Sequence, residues 1–378
     1  MPLSWVDIDL AALRHNLGQV QNRMGMDTKV LGVVKSDAYG HGMVQVAREL
    51  AACGVHSLAV SKFWEAQELH ARGIHLPVII LLGLEPGDME EAIRLKVRPV
   101  IFRMDHARRL SLIATRMQQP VRVHIKVDTG MGRLGVPFEK VPTFLEEFLT
   151  LPGVELEGVL SHFAVADEAD KSFSEHQIER FRTVLGLLAK AGRTVTFAHI
   201  SNSAGILDLP HARFQLVRPG IMLYGSQPSD AIHNPADLQP VMTFKTRIIQ
   251  LKEVPPNRPI GYGRTYTTDK SSRIATLPVG YDDGYPRILS NRGRVLVRGK
   301  PAPLAGRVSM NMITVDVTDI SGVAEDDEVV LLGRQGEELI SAEEIARLCN
   351  TINYEIYCKV GRHRFKVFHG ASEAEERA

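Results

Sequence analysis

The chain is predicted to be an α/β protein in which a (β/α)8 barrel of the TIM type, residues 1–235, is followed by a mostly antiparallel β domain, residues 236–378. Three observations predict this. Eight apolar, β-branched-rich runs alternate with helical segments over the first two hundred or so residues, which implies parallel pairing in the number that closes a barrel. No G-x-G-x-x-G follows the first of those runs, as a dinucleotide-binding open sheet, the structural rival, would require. Near residue 235 the texture changes: Pro228, Pro235 and Pro240 bracket polar residues, and beyond Val241 helical periodicity gives way to short β-rich pieces.

Taken in order, a strand over 4–9 opens the chain and a helix begins at Leu10. This strand, within residues 1–9, is free to pair with the C-terminal domain instead of the barrel. The eight runs fall at 30–34, 55–60, 77–82, 97–102, 121–127, 154–161, 195–200 and 214–218. Helical spacing fills the gaps at 43–53, 62–71, 88–95, 106–117, 141–149 and 174–190, while the last gap, 201–213, holds little more than one helical turn. In the second domain, segments at 244–251, 272–277, 294–297, 312–317 and 328–332 are separated by Gly, Pro or Asp, and one helix, 341–348, interrupts them. No repeat beyond the barrel units and no low-complexity tract is present, and the acidic stretch 373–377 is expected to fray.

Composition narrows the ligand. Lys and Arg number 45 against 44 Asp and Glu, so no broad basic field exists for nucleic acid or an anionic membrane, and a small molecule is expected. The first nine residues lack the basic and apolar regions of a signal peptide, and no run of about 20 apolar residues suits a membrane span, so a cytoplasmic protein is expected. Cys53, Cys349 and Cys358 are odd in number and without C-x-x-C spacing, which suggests neither a disulfide framework nor a zinc site, and no metal is expected.

Reacting groups of such a barrel sit at the carboxyl ends of its strands. There the sequence places Lys35 after the first run, Lys126 at the end of the fifth ahead of Asp128-Thr129-Gly130-Met131-Gly132-Arg133, His162 after the sixth, Ser201-Asn202-Ser203 after the seventh and Arg218-Pro219-Gly220-Ile221 after the eighth. Small residues and hydroxyls on the last two strands suit a phosphate, and a lysine at the same mouth suggests a Schiff base with pyridoxal 5′-phosphate. A sugar-phosphate enzyme would use the same phosphate edge, and spacing alone leaves both readings open.

The stretch Val33-Val34-Lys35-Ser36-Asp37-Ala38-Tyr39-Gly40-His41-Gly42 closely resembles the cofactor-lysine signature of alanine racemases, pyridoxal phosphate enzymes with a barrel and a β domain. Blocks beginning at Lys126, Ser161, Ser201, Arg218, Gly261, Gly280 and Gly306 resemble the family's in the family's order, so that the likeness runs from about Trp5 to Tyr354. The resemblance implies that Lys35 carries the cofactor and exchanges the α-proton on one face of the substrate. It implies that Tyr262, supplied by the other subunit of a homodimer, serves the opposite face, with His162 and Arg218 as neighbours able to stabilise a phenolate. Without the family, a tyrosine between two glycines is an ordinary turn aromatic.

Arg218 is placed by the same resemblance against the pyridine nitrogen. A guanidinium stays protonated and has no acceptor, so that nitrogen would remain unprotonated. Tyr39, Ser203, Gly220, Ile221 and Tyr281 match phosphate contacts, and His162 and Asn202 complete the cofactor's surroundings. Arg133 and the backbone of Met310 match groups that meet the substrate carboxylate. Lys126 matches a lysine often carried as a carbamate, the alternative being an ordinary lysine paired with Asp128. Arg287, Arg307, Ile352 and Tyr354 match an entrance that favours a methyl side chain, Tyr354 also steadying Tyr262. Two departures stand out: Asn311 where an aspartate is frequent, and the run 361–365. The implied function is racemisation of L- and D-alanine, with D-alanine serving wall peptidoglycan in a bacterial source. The alternatives are a racemase of broader specificity, a non-catalytic pyridoxal phosphate-binding protein, and a related decarboxylase, whose acidic partner for the ring nitrogen is replaced here by Arg218.

Overall fold

Short parallel strands, each followed by a helix, build the first of two units in the structure, a computed structural model that describes residues 2–25, 27–363 and 365–371. The expectation for 373–377 lies outside the described residues. The barrel unit takes Arg14–Ala38 and Met43–Leu238. With β1 (Ser4–Asp9) reserved for the second unit, its wall strands are β2 (Lys29–Val33), β3 (Ser57–Val60), β4 (Val78–Ile80), β5 (Arg98–Ile101), β6 (Val121–Asp128), β7 (Val154–Leu160), β8 (Phe197–His199) and β9 (Leu216–Val217). They pair in the order β9-β2-β3-β4-β5-β6-β7-β8, every pair parallel. No ladder joins β8 to β9, but the Arg218 amide donates to the Ser201 carbonyl at 2.9 Å and stitches that seam just beyond the strand ends.

Sequence periodicity accounts for the outer layer. After α1 (Leu10–Gln21), the helices α2 (Met43–Ala52), α3 (Phe63–Ala71), α4 (Met89–Arg94), α5 (Met104–Met117), α6 (Val141–Phe148), α7 (Ser172–Lys190) and α8 (Ser203–Asp208) cover the sheet. In α5 the buried positions Ala107, Leu110, Ser111 and Ala114 recur at i, i+3, i+4 and i+7, one apolar stripe facing inward. The helix stops where Gln118 turns left-handed at φ 53°.

The second unit contains the described residues within 1–13, 39–42 and 239–378. Its strands of three or more residues are β1, β10 (Met242–Arg247), β11 (Gln250–Val254), β12 (Ser272–Leu277), β13 (Arg294–Val297), β14 (Lys300–Pro303), β15 (Ile313–Asp316), β16 (Glu328–Gln335), β17 (Glu338–Ile340) and β18 (Lys366–His369). One sheet runs β14-β13-β16-β10-β1-β18, and β11-β12-β15 form another. β1 is an interior strand, antiparallel to β10 with Ile8 opposite Met242 and parallel to β18 with Val6 opposite Lys366.

The segment read as one strand over 244–251 is two. Ile248 bonds to the Asp327 carbonyl and Ile249 to the Thr276 carbonyl, so consecutive amides serve different sheets and the chain crosses between them. Among its described residues the second domain also holds two α-helices where one was expected: α9 (Ala342–Cys349) and α10 (Asn353–Val360). Its Ile and Tyr content suggests a strand by residue type. However, the buried positions Asn353, Ile356, Tyr357 and Val360 have helical spacing, and that packing decides the outcome.

Candidate active site

Lys35 leaves β2 directly after the fully buried Val34, and the next four residues do what their types disfavour. Ser36, Asp37, Ala38 and Tyr39 hold φ between 53° and 56°, a left-handed turn made without glycine. Each such residue costs roughly 1–2 kcal/mol, so the turn persists only because its surroundings over-determine it. Ala38 donates to the Val34 carbonyl at 2.9 Å, and the Ser36 amide to Glu65 Oε1 at 2.6 Å. Met43 donates to Asp37 Oδ1 at 2.7 Å. Glu65 is 2% exposed and also receives the Ser61 and Lys62 amides at 2.7 and 2.9 Å, so one buried carboxylate fixes the lysine-bearing turn to the end of β3.

Positive charge collects around the mouth of the barrel. Lys126, near the end of β6, is buried and forms no ion pair among the described residues. Burial, then Arg218, Arg133 and Lys35, push its ammonium down to about 8, with Asp128 opposing. Asp128 is engaged elsewhere: its Oδ1 accepts from Gly130 and Gly132 at 2.9 and 3.1 Å and shapes the loop that carries the exposed Arg133.

Arg218 follows β9 and is 4% exposed. Its Nη1 donates to His199 Nδ1 and the His199 carbonyl, both at 2.9 Å. Its Nη2 donates to the carbonyls of Ser161 at 2.7 Å and Ile200 at 2.9 Å, and to His162 Nδ1 at 3.2 Å. Every partner among the described residues is neutral, and burial lowers its pKa to about 9. Its Nε–H has no acceptor among the described residues. His162 is held neutral by burial and by Arg218, its pKa well below the usual value.

The phosphate edge is assembled by short-range bonds. Asn202 caps α8 by accepting the Gly205 amide at 3.0 Å. Ser203 Oγ accepts from the amides of Gly220 at 3.0 Å and Met222 at 3.4 Å, which leaves its O–H to donate. Gly220 and Ile221 are buried beside it. The donor set fits the pyridoxal phosphate expected from the sequence: an amine for its aldehyde, an N–H for its ring nitrogen and a hydroxyl for its phosphate. Among the described residues, no group of three or more His, Cys, Asp or Glu is arranged to hold a metal ion.

In the second unit, Tyr262 stands 72% exposed between Gly261 and Gly263, both left-handed, and makes no hydrogen bond or ring contact among the described residues. The loops carrying Tyr281 and Met310 are knitted together: Tyr281 donates to the Ser309 carbonyl at 3.1 Å and Asp282 to the Met310 carbonyl at 3.0 Å. Gly280 is obligatory there, since a Cβ would lie 2.1 Å from the Met310 oxygen. The Met310 amide makes no bond within the described residues. Asn311 donates to Asp282 Oδ2 at 3.4 Å, a bond that an aspartate at 311 would replace with repulsion. The Tyr39 and Tyr354 rings lie 5.9 Å apart, and burial raises the Tyr39 phenol. Arg287, Arg307 and Ile352 are exposed. Within the unexpected run 361–365, Gly361 has a clear purpose: a Cβ on it would sit 2.2 Å from the Gly40 Cα, so the end of α10 and the Tyr39–Gly42 segment touch backbone to backbone.

Sequence reasoning missed Glu65, and it missed His124 and His199, both wholly buried. The signal was present: His124 is two residues before Lys126 on one strand and His199 two before Ser201, positions that period-two alternation sends to the same side.

Comparison with known proteins identifies the family. Residues 8–228 match the model of the alanine racemase N-terminal domain and residues 241–368 that of the C-terminal domain. The chain is 64% identical over 369 residues to an alanine racemase of Syntrophobacter fumaroxidans, covering 98% of each chain. It is 46% identical to one of Halothermothrix orenii, covering 95% of each. The solved alanine racemase of Clostridium difficile superimposes with a TM-score of 0.92 at 36% identity, over 97% of this chain and 96% of that one. With both domain models matched in order along nearly its whole described length, the chain belongs to the alanine racemase family of isomerases.

Proposed function

We propose that the protein interconverts L- and D-alanine with pyridoxal 5′-phosphate as cofactor, acting as a homodimer and using two bases. The observation that carries the reading is Arg218, a buried guanidinium that among the described residues has only neutral partners and one N–H to spare. The cofactor, when bound, supplies an electron-withdrawing ring that acidifies the substrate's α C–H. Arg218 offers that ring a hydrogen bond without a transferable proton, which keeps the electron sink shallow and limits diversion into transamination.

Inversion requires proton removal on one face and return on the other, since a single base would only exchange the proton. Lys35 Nζ serves one face, positioned by its left-handed turn. Tyr262 of the partner subunit serves the other, a role that suits a tyrosine exposed and without bonds among the described residues. Arg133 and the Met310 amide hold the substrate carboxylate, while Tyr39, Ser203, Gly220, Ile221 and Tyr281 hold the phosphate, with His162 and Asn202 beside them. Lys126 is set up to add CO2: its neutral amine forms the N–C bond and releases one proton, giving a carbamate anion that orients Arg133. D-alanine so formed would be drawn on by ligation into wall peptides.

The test is purified protein with pyridoxal phosphate and L-alanine in deuterated water, followed by enantiomer ratio and deuterium at Cα. Equal enantiomers with label in the product support the reading. Label without inversion would refute the two-base assignment, and no label at all would refute alanine as substrate.

A further inference from the structure

The buried histidines His124 and His199 belong to a chain of polar groups that runs the length of the barrel interior. It starts at Arg218 at the mouth and ends at the opposite end of the barrel, where the amino ends of the strands enclose a cavity of about 450 Å³ lined by His56, Arg98, Arg122, His124 and Glu157 among others. Four links connect them. Arg218 Nη1 lies 2.9 Å from His199 Nδ1, His199 Nε2 lies 2.8 Å from His124 Nδ1, and His124 Nε2 lies 3.3 Å from Glu157 Oε2. Arg98 Nε closes the series at 3.0 Å from the same carboxylate oxygen.

The proton positions in this chain follow from its ends. A guanidinium can only donate, so His199 Nδ1 must accept. Burial, with Arg218 nearby, keeps His199 neutral, and its one proton is therefore on Nε2 and points at His124. Nδ1 of His124 then accepts, and burial holds that ring neutral against the pull of Glu157, so its proton is on Nε2 and points at Glu157. A carboxylate can only accept. Burial works against its charge, but the His124 bond and Arg98 hold Glu157 below the usual carboxylate range. Every N–H in the chain thus points from cation to anion, and no other arrangement satisfies both ends.

Backbone geometry makes room for it. A Cβ on Gly158 would lie 2.3 Å from His124 Nδ1, and the pairing of β6 with β7 slips between Val123 and His124, where the ring enters the barrel.

We infer that Glu157 and His124 are positioning residues for the reaction: through His199 they hold the Arg218 guanidinium charged and fixed, with its Nε–H presented to the cofactor. The inference rests on the function proposed above for Arg218, but its first test does not depend on turnover.

In holoenzyme carrying ring-15N histidine, nuclear magnetic resonance is expected to find His199 and His124 as neutral Nε2–H tautomers, assigned with His124→Phe. A proton on Nδ1 of His199 would overturn the relay outright. Glu157→Gln keeps an acceptor and removes the charge. Its expected signature is an upfield move of the His124 proton, a loss of about tenfold in kcat in both directions with KM little changed, and an altered absorption of the bound cofactor. Glu157→Asp is expected to recover part of each. An unchanged kcat and spectrum in Glu157→Gln would overturn the positioning role, as would a kcat loss that only tracks loss of folded protein. A wild-type holoenzyme inert toward alanine would instead refute the proposed reaction and leave the tautomers to decide the relay.

Discussion

Lys126 shows how one residue's charge state couples to the site. Its folded pKa near 8 lies below the ordinary lysine value of 10.5, so between those values the unfolded chain binds more protons than the folded one. Its contribution to stability therefore rises with pH across that window, and below it the buried ammonium is a net cost. Lys126→Met in cofactor-free protein is expected to stabilise at pH 7 by on the order of 2 kcal/mol and to flatten the pH dependence between about 8 and 10.5, as read by urea unfolding. Removing CO2 at pH 8 should weaken alanine binding in the wild type and leave Lys126→Met unaffected. Tyr262→Phe should suppress proton removal from L-alanine far more than from D-alanine, measured by deuterium wash-in from each enantiomer; equal loss would refute the assignment of faces. Individual side chains were unevenly legible. Lys35, Arg218 and Ser203 sit where the strand ends put them, and any reader of the alternating pattern finds them. Glu65 was hidden because its partners are backbone amides, the two of Ser61 and Lys62 reading as an ordinary helix start and the one that matters, Ser36, lying 29 residues away, which no side-chain motif announces. Asn311 appeared to be a lost charge until Asp282 supplied the reason.

At the scale of elements, the barrel was readable because apolar runs and helical stripes alternate with regular spacing. Departures came where packing outweighed residue type: α10, whose aromatic and β-branched residues suggest a strand, and the turn 36–39, which is left-handed although Gly40 and Gly42 are the residues nearby suited to positive φ. Asp37→Ala removes the acceptor that holds the Met43 amide and is expected to cost about 1 kcal/mol, as a lost helix cap does. Cofactor retention should fall with it, since the turn aims Lys35. Gly361→Ala tests the other side of the same segment. Because its Cβ would meet backbone at 2.2 Å, a loss of about 3 kcal/mol in unfolding free energy is expected, as read by urea denaturation. Gly361→Ser should be no better, since the obstacle is the Cβ itself.

For the whole molecule, two copies are required if Lys35 and Tyr262 of the partner subunit share a site, and subunit mixing tests that. Lys35→Ala and Tyr262→Phe proteins, each inactive alone with L-alanine, are expected to regain about a quarter of wild-type activity after random reassociation, because half the dimers then hold one intact site of two. No recovery on mixing would place both bases in one chain. The sheet of the second unit carries a further consequence, for synthesis on the ribosome. β1 leaves the exit tunnel well before its partners β10 and β18, since Asp9 and Met242 are separated by more than two hundred residues. At about 5–20 residues per second, Trp5, Val6 and Ile8 wait roughly 10–50 seconds before the first neighbouring strand exists. Their apolar side chains lack native strand partners throughout that interval, so slower translation of the barrel is expected to raise aggregation of the nascent chain.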